Sequence, residues 1–150
     1  MLRRIEFACA ALLLVAVVLL VGVAAASRAM GSPIIWSIEV AQLLFLWLCI
    51  IAIDLGLQHD RHFGIGLVSD NLPPSARKAL QIVNLAILIG LLVYLLQFAW
   101  RNTILMHPRL DGALQTPGSY FHASMVVGFV LMIRTLAVKL VGTIRNPAER

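Results

Sequence analysis

Four long apolar segments, separated by short polar stretches, dominate the pattern of hydrophobic and polar positions along the chain. They cover about residues 7–26, 34–57, 80–99 and 120–141. Each holds about 20 residues or more, which at a rise of about 1.5 Å per residue is enough to cross a hydrocarbon layer of roughly 30 Å. The pattern therefore predicts an all-α membrane protein with four transmembrane helices.

The connections between these segments carry turn-forming residues. Residues 27–33 and 102–119 contain several glycines and prolines, and Pro73-Pro74-Ser75 is typical of a helix start. No connection exceeds about 20 residues, which leaves no room for a separate soluble domain. We expect one membrane domain over residues 1–150.

The first segment has a competing interpretation as a cleaved signal peptide. Arg3 and Arg4 precede it, and Ala24-Ala25-Ala26 resembles a cleavage site. Its apolar run is longer than the roughly 7 to 15 residues of a signal peptide, and further spans follow. A retained transmembrane helix is therefore favoured.

The distribution of basic residues predicts the topology. One side of the membrane would hold Arg3, Arg4, Arg61, Arg77, Lys78, Lys139, Arg145 and Arg150, and the other side Arg28, Arg101 and Arg109. An excess of eight over three in short segments places the richer side in the cytoplasm. The prediction is N-in and C-in, with residues 27–33 and 102–119 outside.

Residues 63–72 mix apolar and polar side chains and are too short to span. Their composition is compatible with a short interfacial helix between helices 2 and 3 on the cytoplasmic surface. Gly64 and Gly66 weaken any helix, so a plain turn is the alternative.

Composition supports an integral membrane protein and excludes several other classes. The 150 residues are 61% hydrophobic and 13% charged, with a mean hydropathy of +0.93. The net charge of +5 does not indicate nucleic-acid binding, because the basic residues lie at span ends and form no patch. Cys9 and Cys49 lie in apolar runs without a Cys or His partner nearby, so neither a disulfide nor a metal site is expected.

The four histidines raise the question of a haem or metal cofactor. His59 and His62 fall at one end of the predicted spans, and His107 and His122 at the other end. A separation of about 30 Å disfavours haem ligation between helices, and no metal-binding spacing is present. We expect no cofactor.

A few polar residues lie inside the spans. Glu39 and Gln97 share a depth toward the outside and could form a hydrogen bond, whereas Asp54 and Arg134 share the inner side and could form an ion pair. A proton or ion relay usually needs ionisable groups near the midplane, and the central thirds of the first three spans contain none. Structural or subunit-facing roles are therefore favoured.

One side of the second helix is a candidate partner interface. At about 100° per residue, Glu39, Gln42 and Asp54 lie on a common face, with Trp36 at the interfacial start of the helix. Packing of this face inside the subunit is the alternative, because it also keeps the carboxylates away from lipid.

No catalytic signature is visible. The chain has no phosphate-binding loop, no GxSxG motif and no Ser/His/Asp set on one face, so we do not expect an enzyme. It also shows no paired repeats or broken helices, which a transporter acting alone would need. The residues predict a protein that completes a larger complex.

Residues 36–77 closely resemble the small membrane subunit of tripartite ATP-independent periplasmic (TRAP) transporters. The similarity rests on Trp36, Glu39, a Leu/Phe/Trp-rich span, His62, Asp70, Leu72-Pro73 and Arg77. Ile38-Glu39 replaces the acidic pair of the family, and Phe63-Gly64-Ile65-Gly66 differs from the usual sequence of the family at this position. Length and four-span layout agree over the whole chain.

The resemblance implies a bacterial inner-membrane protein that scaffolds a large multi-span subunit, which carries the substrate and sodium sites. It also implies an extracytoplasmic substrate-binding protein and an organic acid as substrate. Two alternatives stay open: a membrane anchor of a respiratory or oxidoreductase complex, and a small multidrug-type exporter. The exporter would need a mid-membrane carboxylate that these spans lack.

Overall fold

The computed structural model describes residues 2–58, 74–112 and 114–145. The possible interfacial helix at residues 63–72, together with His59 and His62, lies outside this part of the chain. The N-in and C-in orientation stays a prediction.

Four helices form the described structure, and all four are long and apolar enough to cross a membrane, as predicted. They are α1 (Leu2–Ala29), α2 (Trp36–Gln58), α3 (Pro74–Leu105) and α4 (Ser119–Arg145). The helix α3 starts at the predicted proline signal but continues past the predicted end at residue 99. Trp100 and Arg101, the predicted interfacial residues, do not end the helix, which continues until the chain turns before Pro108.

The helix α1 ends in a glycine-based cap. The amide of Gly31 donates to the carbonyl of Arg28, and the amide of Ser32 donates to the carbonyl of Ser27, both at 3.1 Å. Gly31 has a φ of 79°, which a residue without a Cβ adopts at little cost. This cap turns the chain toward α2.

The four helices pack as a row in the order α1, α2, α4, α3. The extensive contacts are those of α1 with α2, of α2 with α4 and of α4 with α3. Contacts between α2 and α4 pair Ile50 with Gly128 and Asp54 with Thr135, so these two helices run in the same direction. They form the centre of the row.

The close approach of α2 and α4 depends on a small residue. Ile50 lies directly against Gly128, where a Cβ would overlap with the isoleucine side chain. Small residues at such contacts let membrane helices approach closely. The best-buried apolar side chains of the described chain are Leu85 on α3 and Leu136 on α4.

A small β-hairpin connects α3 to α4 where the sequence predicted only a loop. Strand β1 (Leu110–Asp111) pairs antiparallel with β2 (Thr116–Pro117). We call the end of the row that holds this hairpin and the turn between α1 and α2 the hairpin end. The other end, which holds Glu6 and Gln58, is the opposite end.

Candidate functional site

The Glu39 carboxylate fastens α2 to the connection between α3 and α4. Its Oε2 accepts a hydrogen bond of 3.0 Å from the backbone amide of Leu114. Its three terminal atoms lie against Gly112, whose φ is 79° and where an added Cβ would overlap with the carboxylate. Both the backbone conformation and the space therefore require glycine at this position.

Two further side-chain contacts hold the hairpin end together. The Nδ1 of His122 on α4 lies 3.2 Å from the Asn102 amide nitrogen on α3. The Nδ1 of His107 lies 3.0 Å from the Ser119 hydroxyl at the start of α4. These two histidines therefore stabilise the connection between helices.

At the opposite end, Asp54 is the best-buried charged residue of the described chain, with a relative exposure of 1%. Its Oδ1 accepts a hydrogen bond of 2.8 Å from the Thr135 hydroxyl on α4. Its Oδ2 accepts one of 2.8 Å from the Gln58 amide, one turn further along α2. Both carboxylate oxygens are thus satisfied within the subunit.

Glu6 on α1 extends this contact into a network over three helices. The Gln58 amide nitrogen that contacts Asp54 also donates to Glu6 Oε2 at 2.6 Å. Glu6 Oε1 forms an ion pair of 3.1 Å with the Arg134 guanidinium on α4. We call the chain Arg134, Glu6, Gln58, Asp54 and Thr135 the polar network.

The expected direct pair between Asp54 and Arg134 is therefore not what the structure shows. Arg134 and Thr135 are adjacent on α4, so their side chains point about 100° apart. Thr135 points toward α2 and Asp54, whereas Arg134 points toward α1 and Glu6. The predicted common depth was compatible with a pair, but the rotation about the helix axis separates the two residues.

Lys139 adds a second link between α2 and α4 at the opposite end. Its ammonium group donates a hydrogen bond to the backbone carbonyl of Leu57 in the last turn of α2. A cation at a helix C-terminus satisfies a free carbonyl and interacts favourably with the helix dipole.

The four residues proposed for a partner interface lie in different environments. Trp36 is 48% exposed and Gln42 is exposed, whereas Asp54 is buried in the polar network. Glu39 is half-buried against the hairpin connection. Gln97, the alternative partner considered for Glu39, is exposed on α3. The predicted face is therefore internal at its Asp54 end and accessible only near the hairpin end.

Sequence reasoning missed Glu6, Gln58 and Thr135. Glu6 was overlooked because it precedes the first apolar segment beside two arginines, where a carboxylate is unremarkable. A usable signal existed: Arg134 lies inside an apolar segment and needs an acidic partner, and Glu6 is placed at the same end of the membrane.

The described residues contain no group of three or more His, Cys, Asp or Glu side chains that could hold a metal ion. Cys9 is exposed and Cys49 half-buried, and both are free thiols.

Comparison with known proteins identifies a family and a curated relative. Residues 15–146 match the family described as tripartite ATP-independent periplasmic transporters, DctQ component. The chain is also 32% identical over 108 residues to the sialic acid TRAP transporter small permease protein SiaQ of Vibrio cholerae. That alignment covers 69% of this chain and 60% of the relative.

Proposed function

Since the chain belongs to the DctQ family and is a small membrane subunit of a TRAP transporter, we propose that it scaffolds the large subunit during sodium-coupled uptake of an organic acid. The observation that carries this proposal is the family match over residues 15–146, which reaches into all four helices. As a transporter component it is not an enzyme. We place it in the bacterial inner membrane as a multi-pass protein.

The geometry supports a scaffolding role because the polar groups inside the spans are used to fix the helices to one another. The polar network joins α1, α2 and α4 at the opposite end, and Glu39 fastens the hairpin connection to α2. Between them, Gly128 lets α4 pack closely on α2. Helices that are fixed to one another at these three depths can present a rigid surface to a larger partner subunit.

Within this frame, we place the contact with the large subunit at the hairpin end of α2. Trp36 exposes about half of its surface there, and large aromatic side chains are frequent anchors of protein interfaces. Glu39 lies one turn from Trp36 and acts indirectly, by holding the hairpin connection in place. Asp54 serves the internal packing.

The proposed substrate is an organic acid, delivered to the large subunit by an extracytoplasmic binding protein. The Vibrio cholerae relative carries sialic acid in its name, and sialic acid is a carboxylic acid. The binding protein would approach the hairpin end, which is the predicted extracytoplasmic end.

Affinity purification of the tagged chain from its own host tests the proposal. We expect the large TRAP subunit to co-purify in a stable complex without a haem absorption band. Trp36→Ala should weaken the retention of the large subunit, whereas Trp100→Ala, a matched exposed tryptophan at the hairpin end of α3, should not. Co-purification of an oxidoreductase subunit, or a haem band, would point to the respiratory-anchor alternative.

A further inference from the structure

A groove of about 440 Å³ runs between α1 and α2 in the half of the protein toward the hairpin end. On α1, its wall is a stripe with helical spacing that includes Val17, Val21 and Arg28. On α2, Ala41, Gln42 and Phe45 form the opposite wall. Small residues line its floor on both helices: Ala24 and Ala25 on α1, and Ser37 and Ala41 on α2.

The length of the groove corresponds to one leaflet of a membrane. From Val17 to Arg28 the helix rises by about 16 Å, about half of a hydrocarbon core of roughly 30 Å. Arg28 lies in the last turn of α1, three residues before Gly31 of the cap, so the groove begins at headgroup depth and ends near the middle of the membrane. An acyl chain extended from that headgroup level would lie along the apolar walls.

Two polar side chains face this groove, and neither forms a side-chain hydrogen bond with another described residue. In the part of the chain that the structure describes, the exposed guanidinium of Arg28 and the exposed amide of Gln42 have no hydrogen-bond partner. Gln42 lies about 9 Å below Trp36 along α2, where the hydrocarbon offers no water. Each of these groups needs a polar partner when the protein is in a membrane.

We propose that the groove binds one glycerophospholipid from the leaflet on the hairpin side. The Arg28 guanidinium donates to its phosphate oxygens, an arrangement that suits the planar donor pattern of arginine. The Gln42 amide donates to an ester carbonyl of the same lipid, and one acyl chain packs between α1 and α2 over Ala25 and Ala41. The lipid would thus fill the space between the first two helices, and Gln42 contacts lipid instead of a partner subunit.

Native mass spectrometry of the purified full chain with added phosphatidylglycerol tests this assignment. The wild-type protein should retain one lipid. Arg28→Gln should weaken binding about tenfold, since a hydrogen bond to a charged group contributes about the free energy of a tenfold change in affinity. Gln42→Leu should weaken binding by a smaller factor, and Ala25→Leu should abolish it by filling the groove.

Ala26→Leu is the matched control, because Ala26 is exposed on α1 but does not line the groove. Unchanged lipid retention in both Arg28→Gln and Ala25→Leu would overturn the proposal. Thermal unfolding of each variant distinguishes a loss of lipid binding from a loss of folding. If Ala25→Leu does not fold, lipid retention by Gln42→Leu still tests the proposal.

A photo-crosslinking residue at position 25 distinguishes lipid from protein in cells that contain the whole transporter. An adduct with the mass of a phospholipid supports the assignment. An adduct with the large subunit would show that protein covers the groove and would contradict it.

Discussion

Glu6 and Arg134 form an ion pair of 3.1 Å that connects the first helix of the row to the last helix in the sequence. Glu6 is nearly buried, and its other oxygen accepts a hydrogen bond from Gln58. The pair therefore anchors α1 to both central helices at the opposite end. A lone carboxylate there would be costly in a membrane.

A double-mutant cycle of Glu6→Gln and Arg134→Gln should show that these residues are coupled. Polar couplings between membrane helices average about 0.6 kcal/mol and reach about 1.7 kcal/mol. We expect a value in the upper part of this range because the Glu6 carboxylate is nearly buried. Thermal unfolding in detergent measures it. The cycle of Asp54→Asn with Arg134→Gln is the matched comparison and should be closer to additive; a larger coupling there than for Glu6 would refute the assigned pairing.

Thr135→Val should destabilise the protein by about 1 kcal/mol or more. The substitution keeps the shape of the side chain but leaves one oxygen of the buried Asp54 without its donor. Thr135→Ser should restore most of the loss because it keeps the hydroxyl. Thr143→Val is the control, since among the described residues the Thr143 hydroxyl bonds only to its own helix, at the Lys139 carbonyl. Equal effects at the two positions would argue against a role of Thr135 in the polar network.

Gly112→Ala should destabilise the hairpin end more than Gly31→Ala does. Both glycines have a φ of 79°, so both substitutions introduce backbone strain of about 1 kcal/mol. Only at Gly112 does the added Cβ overlap with Glu39, whereas Gly31 has open space. Thermal unfolding of the two variants isolates the Glu39 contact, and equal losses of stability would mean that Glu39 does not hold this turn.

Cysteine labelling in cells checks the predicted orientation. In a background of Cys9→Ala and Cys49→Ala, a membrane-impermeant thiol reagent should label Ser32→Cys and leave Ser75→Cys unlabelled until the membrane is opened. The positive-inside bias is the physical reason. The reverse pattern would invert the topology and move the hairpin end to the cytoplasm.

The sequence predicted the fold well and the pairing of polar residues poorly, for one physical reason. The length and apolarity of a segment are enough to predict a span, because each helix satisfies its own backbone in lipid. Pairing depends on how each helix is rotated against its neighbours. Depth alone could not distinguish Arg134 from Thr135 as the partner of Asp54, although they are neighbours in the sequence.

The hairpin connection shows a second limit. Its glycines and prolines indicated a turn, but nothing in the local sequence indicated that Gly112 would receive a carboxylate from Glu39, a residue far away in the chain. Exposure of Trp36 and burial of Asp54 likewise follow from the row order of the helices, in which α2 packs against α4 on one side and α1 on the other.

The most direct test of the proposed function is transport by purified components in proteoliposomes. The large subunit is reconstituted with and without this chain, and uptake of the organic acid that binds the cognate extracytoplasmic protein is measured with an inward sodium gradient. We predict sodium-dependent uptake only when both membrane subunits and the binding protein are present. Equal uptake by the large subunit without this chain would contradict the scaffolding role.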